Sequence, residues 1–151
     1  MIPYILSLLF LSLASICNSI MDKTTHHFHQ SIFNDNTKQN KWKIWWNPGQ
    51  SWKLKYVDGV VENGTVKWNI LGFKFDKPVQ ISDGWHLMKT LMIIFLCTSI
   101  TLMTLSPVLE LGLPSKTFWG YLYNFTTHLI IMGFVWNKTF SLFYDKILVK
   151  K

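Results

Sequence analysis

Three long runs without a charged residue constrain this chain more than any other feature of its sequence. They extend from Ile2 to Met21, from Leu91 to Leu109 and from Phe118 to Trp136. Each has close to the ~20 apolar residues that an α-helix needs to cross a hydrocarbon core about 30 Å thick. We therefore expect an all-α membrane protein with three transmembrane helices, at 1–21, 87–109 and 117–137.

The first run has a second interpretation, as a secretory signal peptide. Such peptides have a short apolar core followed by small residues at a cleavage site, and Ser12-Leu13-Ala14 could serve as one. However, Met1 to Tyr4 contains no Lys or Arg, and signal peptides normally begin with positive charge. An uncleaved transmembrane helix is the favoured interpretation.

The second and third runs are joined by a short link, from Ser106 to Lys116, that contains Pro107 and Pro114. Because short connections join neighbouring antiparallel helices, we expect the two runs to form a tight helical hairpin. Aromatic residues at both ends of the third run, such as Trp119 and Trp136, are typical of the membrane–water boundary.

The charge composition indicates which partners to expect. Charged residues make up only 15% of the chain, against about 25% in a typical soluble domain. The 15 basic residues are all Lys, and the net charge is +7. Sequence-specific readout of nucleic acid depends largely on Arg, so no nucleic-acid partner is expected. The expected partners are the lipid bilayer and either another membrane protein or a second copy of the chain.

The positions of the lysines predict an orientation. With three crossings, 22–83 and the tail after Trp136 lie on one side of the membrane, with nine and four lysines, whereas only Lys116 lies opposite. Lys-rich segments stay in the cytoplasm. We therefore expect a multi-pass membrane protein with the long segment and the C-terminus in the cytoplasm.

The segment 22–83 is expected to form a polar interfacial domain rich in Trp and Lys. Asp22 to Phe33 can continue the first helix, which Asn34-Asp35-Asn36 would end. Strands are predicted at Lys53–Val57 and Thr65–Phe75, a short β-hairpin with turn signals at Asp58-Gly59 and Asn63-Gly64. Its tryptophans either form a small core or contact lipid headgroups; the ones considered are Trp42, Trp45, Trp46 and Trp52.

The tail 138–151 is expected to form an amphipathic helix. Phe140, Phe143, Tyr144 and Ile147 follow the helical period and would form one apolar face. This helix would lie either on the membrane or on the interfacial domain.

The histidines suggest a metal site at the membrane boundary. On a helix that continues past Met21, Asp22, His26 and His29 share one face, and His86 enters the second span at the same boundary. Asp83 can approach the same face, and one or two carboxylates with three imidazoles would suit Zn²⁺ or Fe²⁺. The alternative is a set of interfacial histidines that hold no metal.

Polar residues within the spans predict helix packing. Tyr121, Asn124 and His128 form a stripe on the third run, and Thr101 belongs to a polar face of the second. Such residues normally face the bundle interior and hydrogen-bond across helices. Haem ligation by His86 and His128 is disfavoured, since the two residues should differ in depth by about 15 Å.

No sequence motif points to catalysis. The chain contains no P-loop, no GxSxG and no GxGxxG, and its two cysteines, Cys17 and Cys97, both lie in apolar runs. The leading hypothesis is a non-catalytic accessory or scaffold protein. The alternative is a membrane-embedded metal-dependent enzyme that acts on a lipid-like substrate through Asp22, His26, His29 and His86.

Short motifs along the chain also carry a resemblance. They are Ile20-Met21-Asp22, His26-His27-Phe28, Ser31-Ile32-Phe33, Trp46-Asn47-Pro48, Ser51-Trp52-Lys53, Asp83-Gly84-Trp85-His86 and Leu142-Phe143-Tyr144-Asp145. With these motifs the chain resembles a group of small integral membrane proteins of Bacteroidota that have no assigned activity. The resemblance implies a bacterial inner-membrane protein, and it assigns no catalytic residue.

Overall fold

Three long helices dominate the computed structural model, which describes residues 2–34, 40–104 and 117–150. They are α1 (Ile2–His26), α4 (Gly84–Thr104) and α5 (Phe118–Leu142). Among the described residues, α4 and α5 both pack against α1 and touch each other little. The expected hairpin of the second and third runs is therefore wrong, because α1 lies between them. The prolines of its link, Pro107 and Pro114, lie outside the described residues.

The side-chain contacts give the direction of each helix. Ser7 meets Ser99, whereas Ile20 near the other end of α1 joins a cluster with Met88, so α1 and α4 are antiparallel. Tyr4 meets His128 and Ser15 meets Trp136, so α5 runs parallel to α1. The C-terminal ends of α1 and α5 and the N-terminal end of α4 therefore lie together. We call this the domain end of the bundle.

Two helices in the described part of the chain are long and apolar enough to cross a membrane, namely α1 and α4. This statement rests on the length and the apolar composition of the two helices. Only 6% of the most apolar stretch of α4 is buried, unlike the core helix of a soluble protein. α5 is of comparable length but contains more Trp, Tyr and Asn, and it does not meet the same criterion. The crossing by α5 stays a prediction.

A small domain connects α1 with α4 at the domain end. It contains α2 (Asn40–Trp46), α3 (Pro48–Ser51), several 3₁₀ turns and a two-stranded antiparallel sheet of β1 (Lys67–Ile70) and β2 (Phe73–Asp76). Its core stacks Phe33 on Trp46 with ring centroids 4.2 Å apart. Trp46 thus forms core, as one of the two interpretations predicted, whereas Trp42 and Trp52 stay 41% and 48% exposed.

The β-hairpin is real but forms later in the chain than expected. Lys53–Val57 is not a strand: it runs through 3₁₀ turns and makes a single bridge, from Tyr56 to Thr65. The hairpin turns at Leu71-Gly72, where both residues have positive φ, 53° and 87°. Two-residue turns of this kind match the twist of the flanking strands, and glycine adopts such φ values without strain.

The helix α1 ends at His26 and not at Phe33. A 3₁₀ turn follows at Phe28–Gln30, and Ser31 then forms a β-bridge with Val149. Pairing with a distant segment therefore overrides helix continuation after residue 26. Of the predicted helix stop, Asp35 and Asn36 lie outside the described residues.

The tail also differs from the predicted helix over 138–151. α5 continues to Leu142, a wider π turn spans Phe143–Ile147, and the chain then becomes extended. Leu148 accepts a backbone hydrogen bond from Ile32 at 3.1 Å, and Lys150 donates one to Gln30 at 2.8 Å. The tail therefore packs on the interfacial domain, which was one of its two expected positions.

Candidate functional site

The residues proposed as metal ligands form two pairs in the structure. His26 Nε2 lies 3.6 Å from Asp22 Oδ1 on the last turns of α1, and both side chains are well exposed. His29 falls in the 3₁₀ turn beyond the helix end, so it leaves the face that it would share on a longer helix. His86 pairs with Asp83 instead. Within the described residues, no three His, Cys, Asp or Glu side chains are grouped so that they could hold a metal ion.

The Asp83–His86 pair caps a helix. Asp83 directly precedes α4 and is 2% exposed. Its carboxylate accepts hydrogen bonds from the backbone N–H of His86 at 3.0 Å and from the Ser82 hydroxyl at 3.2 Å, and it lies 2.8 Å from His86 Nδ1. A carboxylate that binds the N–H three residues into a helix satisfies one of the open donors at its start. This geometry gives the pair a structural role at the beginning of α4.

The contact between α1 and α4 is built on two serines. The Ser7 hydroxyl donates to the Ser99 carbonyl at 2.9 Å, and the Ser99 hydroxyl donates to the Ser7 carbonyl at 2.8 Å. Both residues are fully buried. Small hydroxylated residues let two helix backbones approach closely and supply hydrogen bonds where no water is present.

The contact between α1 and α5 is also polar. His128 Nδ1 lies 3.1 Å from the Tyr4 hydroxyl, and the Ser15 hydroxyl donates to the Trp136 carbonyl at 2.8 Å. His128 therefore acts in helix packing, with a partner on α1 and not on α4. Asn124 is buried on the same helix.

Two of the predicted packing residues lie elsewhere. Tyr121 is 59% exposed, because α5 turns it away from α1. The Thr101 hydroxyl donates to the Cys97 carbonyl of its own helix at 2.9 Å, at an exposed position. His86 and His128 do not meet either: one lies at the domain end, and the other lies beside Tyr4 near the start of α1.

A cation packs on an aromatic ring where α1 meets the tail. Lys23 is 5% exposed, and its Nζ lies 4.5 Å from the centre of the Tyr144 ring. Burial raises the pKa of the Tyr144 hydroxyl, and the negative charges of Asp22 and Asp145 raise it further. The phenol is therefore held neutral beside the lysine, whose charge the ring face stabilises.

Much of the outer surface of α4 and α5 is apolar. Exposed aliphatic and phenylalanine side chains within the two helices include Ile93, Ile94, Ile100, Phe125, Leu129, Ile130 and Phe134. Soluble monomers seldom expose contiguous apolar patches larger than a few hundred Å². These faces fit lipid chains or another membrane helix.

An open cleft of about 620 Å³ lies on the small domain. Its described lining combines two lysines with apolar side chains: Lys41, Trp42, Trp45, Leu54 and Lys77.

Sequence reasoning missed most of the residues that join the helices. Ser7, Ala14 and Ser15 are buried on one face of α1, and their near-helical spacing is a signal that could have identified that face. No local sequence pattern indicates the cleft, because two of its lining residues, Lys41 and Lys77, are far apart in the sequence.

Comparisons of the chain with protein-family models, with curated proteins and with solved structures find no match.

Proposed function

We propose that this chain is a non-catalytic accessory or scaffold protein of a bacterial inner membrane, which crosses the bilayer three times and holds its small domain at the cytoplasmic surface. The observation that carries the proposal is the exposed apolar surface of α4 and α5, which pack against one buried face of α1 through polar contacts. In water this arrangement would expose many apolar side chains of α4 and α5 to solvent. In a lipid bilayer the same side chains would contact acyl chains.

The directions of the helices support the three crossings. α1 and α5 run parallel, and α4 runs opposite to them, as a chain that crosses a membrane three times requires. The domain and the tail then share one side, where most of the lysines lie. The resemblance to small membrane proteins of Bacteroidota is consistent with this location.

The scaffold role is supported by the polar groups of the bundle. Ser7, Ser99, Ser15 and His128 are used to join helices. His26 and His86 each pair with one carboxylate, and no group of three such residues that could hold a metal is found in the described part of the chain. The aromatic outer face of α5 is left for a membrane-protein partner or a second copy of the chain. We therefore expect a stable complex in the membrane.

The location is tested by fractionation and by cysteine labelling. In a variant in which Cys17 and Cys97 are replaced by Ala, a cysteine is introduced at Thr117 or at Lys146. We expect resistance to carbonate extraction, labelling of Thr117→Cys in intact cells, and labelling of Lys146→Cys only after permeabilisation. Extraction by carbonate, or labelling of both sites on one side, would contradict the proposed topology.

The scaffold role is tested by cross-linking in membranes and by native extraction in mild detergent. We expect a complex larger than the monomer, with a cross-link from the exposed Phe125–Phe134 face of α5. A matched probe at Ser12, which lies on α1 and bonds to its own helix, should give less cross-linking. Recovery of a monomer without any partner would count against the proposal.

A further inference from the structure

The cleft on the small domain lies next to the end of a candidate membrane span. Trp42 and Trp45 contact Trp46, with ring centroids 5.7 and 4.7 Å apart. The ring of Trp46 in turn lies directly against Gly84, the first residue of α4. The wall of the cleft is therefore connected to the point at which α4 leaves the membrane.

The two lysines of the cleft give it a positive rim. Lys77 Nζ donates to the Ser82 carbonyl at 3.1 Å, which fixes its ammonium group and leaves two N–H donors for a ligand. Lys41 is exposed on α2. Among the described residues, no carboxylate lines the cleft.

The remaining lining is apolar. Trp42, Trp45 and Leu54 present two indole rings and an aliphatic side chain, and Trp42 is 41% exposed. Indole rings favour the boundary between headgroups and acyl chains. Apolar walls beside two ammonium groups match a molecule with an anionic head and an apolar body.

We propose that this cleft binds one anionic phospholipid, with the phosphate between Lys41 and Lys77 and the glycerol and upper acyl chains on Trp42, Trp45 and Leu54. This inference rests on the proposed location of the domain at the membrane surface. It adds a defined lipid site to that location and names the charge of the headgroup.

The site is tested by native mass spectrometry of the full chain in mild detergent. The probes are dioctanoyl phosphatidylglycerol, dioctanoyl phosphatidylcholine and soluble glycerol phosphate. We expect one phosphatidylglycerol to bind in preference to phosphatidylcholine, and glycerol phosphate to bind far more weakly because it lacks the acyl chains.

The variant Lys41→Gln/Lys77→Gln should weaken phosphatidylglycerol binding about 10- to 30-fold, as expected for two ammonium groups near an anionic lipid. The matched control Lys53→Gln/Lys74→Gln removes the same charge from the same domain outside the cleft, and it should change binding less than about twofold. Equal affinity for the two lipids, or equal loss in the two double variants, would overturn the proposal. Equal binding of glycerol phosphate would also overturn it, because the site would then take a soluble anion.

A second pair of variants tests the apolar wall without altering charge. Trp42→Ala should weaken phosphatidylglycerol binding, whereas Trp52→Ala, at an equally exposed tryptophan outside the cleft, should not. An equal loss of phosphatidylglycerol binding in Trp42→Ala and Trp52→Ala would contradict the proposed site, even if both variants fold. A protein that resists carbonate extraction but fails these lipid tests would leave the proposed membrane location intact and remove only the lipid site.

Discussion

At the scale of single residues, Ser7 and Ser99 determine how closely α1 and α4 can approach. Each hydroxyl donates to the carbonyl of the other residue, at 2.9 and 2.8 Å. Interhelical hydrogen bonds in membrane proteins contribute about 0.6 kcal/mol on average. The small size of both residues, which lets the two backbones approach, is a second contribution.

Variants at Ser7 separate these two contributions. Ser7→Ala keeps the side chain small, and we expect it to lower the free energy of unfolding by about 1 kcal/mol. Ser7→Leu should lower it by about 1–3 kcal/mol, the usual cost of overpacking a buried site. Unfolding in mixed micelles of mild detergent and SDS provides the measurement. Ser12→Ala is the control, because that hydroxyl bonds within α1; equal losses at residues 7 and 12 would contradict the interpretation.

Gly84 has a comparable role where α4 begins. A Cβ atom at this position would lie 2.5 Å from Trp46 Cε3 and 2.8 Å from Cζ3. Gly84→Ala should therefore destabilise the protein by about 1–3 kcal/mol, although alanine favours helix. Gly133→Ala, in α5, is the control, because a Cβ atom there would meet nothing within 4 Å. This variant should raise the free energy of unfolding by about 0.5–1 kcal/mol.

The same detergent unfolding measures both glycine variants. Combining Gly84→Ala with Trp46→Leu tests the cause, since removal of the indole should cancel most of the added cost. If Gly84→Ala stabilised the protein as much as Gly133→Ala does, this would contradict the close contact between Gly84 and the Trp46 ring.

At the scale of elements, the sequence predicts apolar helices better than their ends. The charge-free runs located α1, α4 and α5 because hydropathy depends only on local composition. The end of α1 was missed because Ser31 pairs with Val149, a contact that no local pattern indicates. The proposed metal ligands were placed together for a similar reason: the prediction put His29 on the first helix, which ends at His26 in the structure.

The position of the β-hairpin turn could not be predicted from local sequence either. Asp58-Gly59 and Asn63-Gly64 are strong turn signals, yet β1 and β2 are joined at Leu71-Gly72. Leu71 is a rare residue at positive φ, so propensity alone favours the other turns. Trp68 pairs with Phe75 across the two strands, whereas the predicted hairpin placed both residues on one strand, Thr65–Phe75.

An ion pair gives this hairpin a pH dependence. Hydrogen bonds from Lys67 and then from Thr65 lower the pKa of Asp76 below its ordinary value. The folded state therefore favours the carboxylate, so the pair stabilises the hairpin above the ordinary pKa of Asp. This stabilisation should be lost as the pH falls through the lowered pKa.

The indole N–H signal of Trp68 in NMR spectra of the full chain should report this loss. In Asp76→Asn the acid-dependent change should be largely absent, whereas Asp58→Asn, which alters an acidic residue outside the strands, should retain it. An unchanged acid transition in Asp76→Asn would show that another group controls the hairpin.

At the scale of the whole molecule, α1 is the helix on which the others assemble. α4 binds it through Ser7 and α5 through Tyr4 and Ser15, while the tail reaches the segment just beyond its end. α4 and α5 have little contact of their own within the described residues. Removing the first part of α1 would therefore leave two apolar helices without their shared partner.

This arrangement predicts that the start of α1 is kept in the folded protein. Cleavage after Ala14 would remove Tyr4, Ser7 and Leu11, all of which are buried in the bundle. We expect the intact mass of the protein purified in mild detergent to include these residues. A variant with Tyr4→Phe and Ser7→Ala, which removes two side-chain hydroxyls from these contacts but keeps the helix, should still retain residues 2–14 and should lose stability. A mass that begins after Ala14, in a protein that still folds, would show that α4 and α5 assemble without the first half of α1 and would contradict the role given to Tyr4 and Ser7.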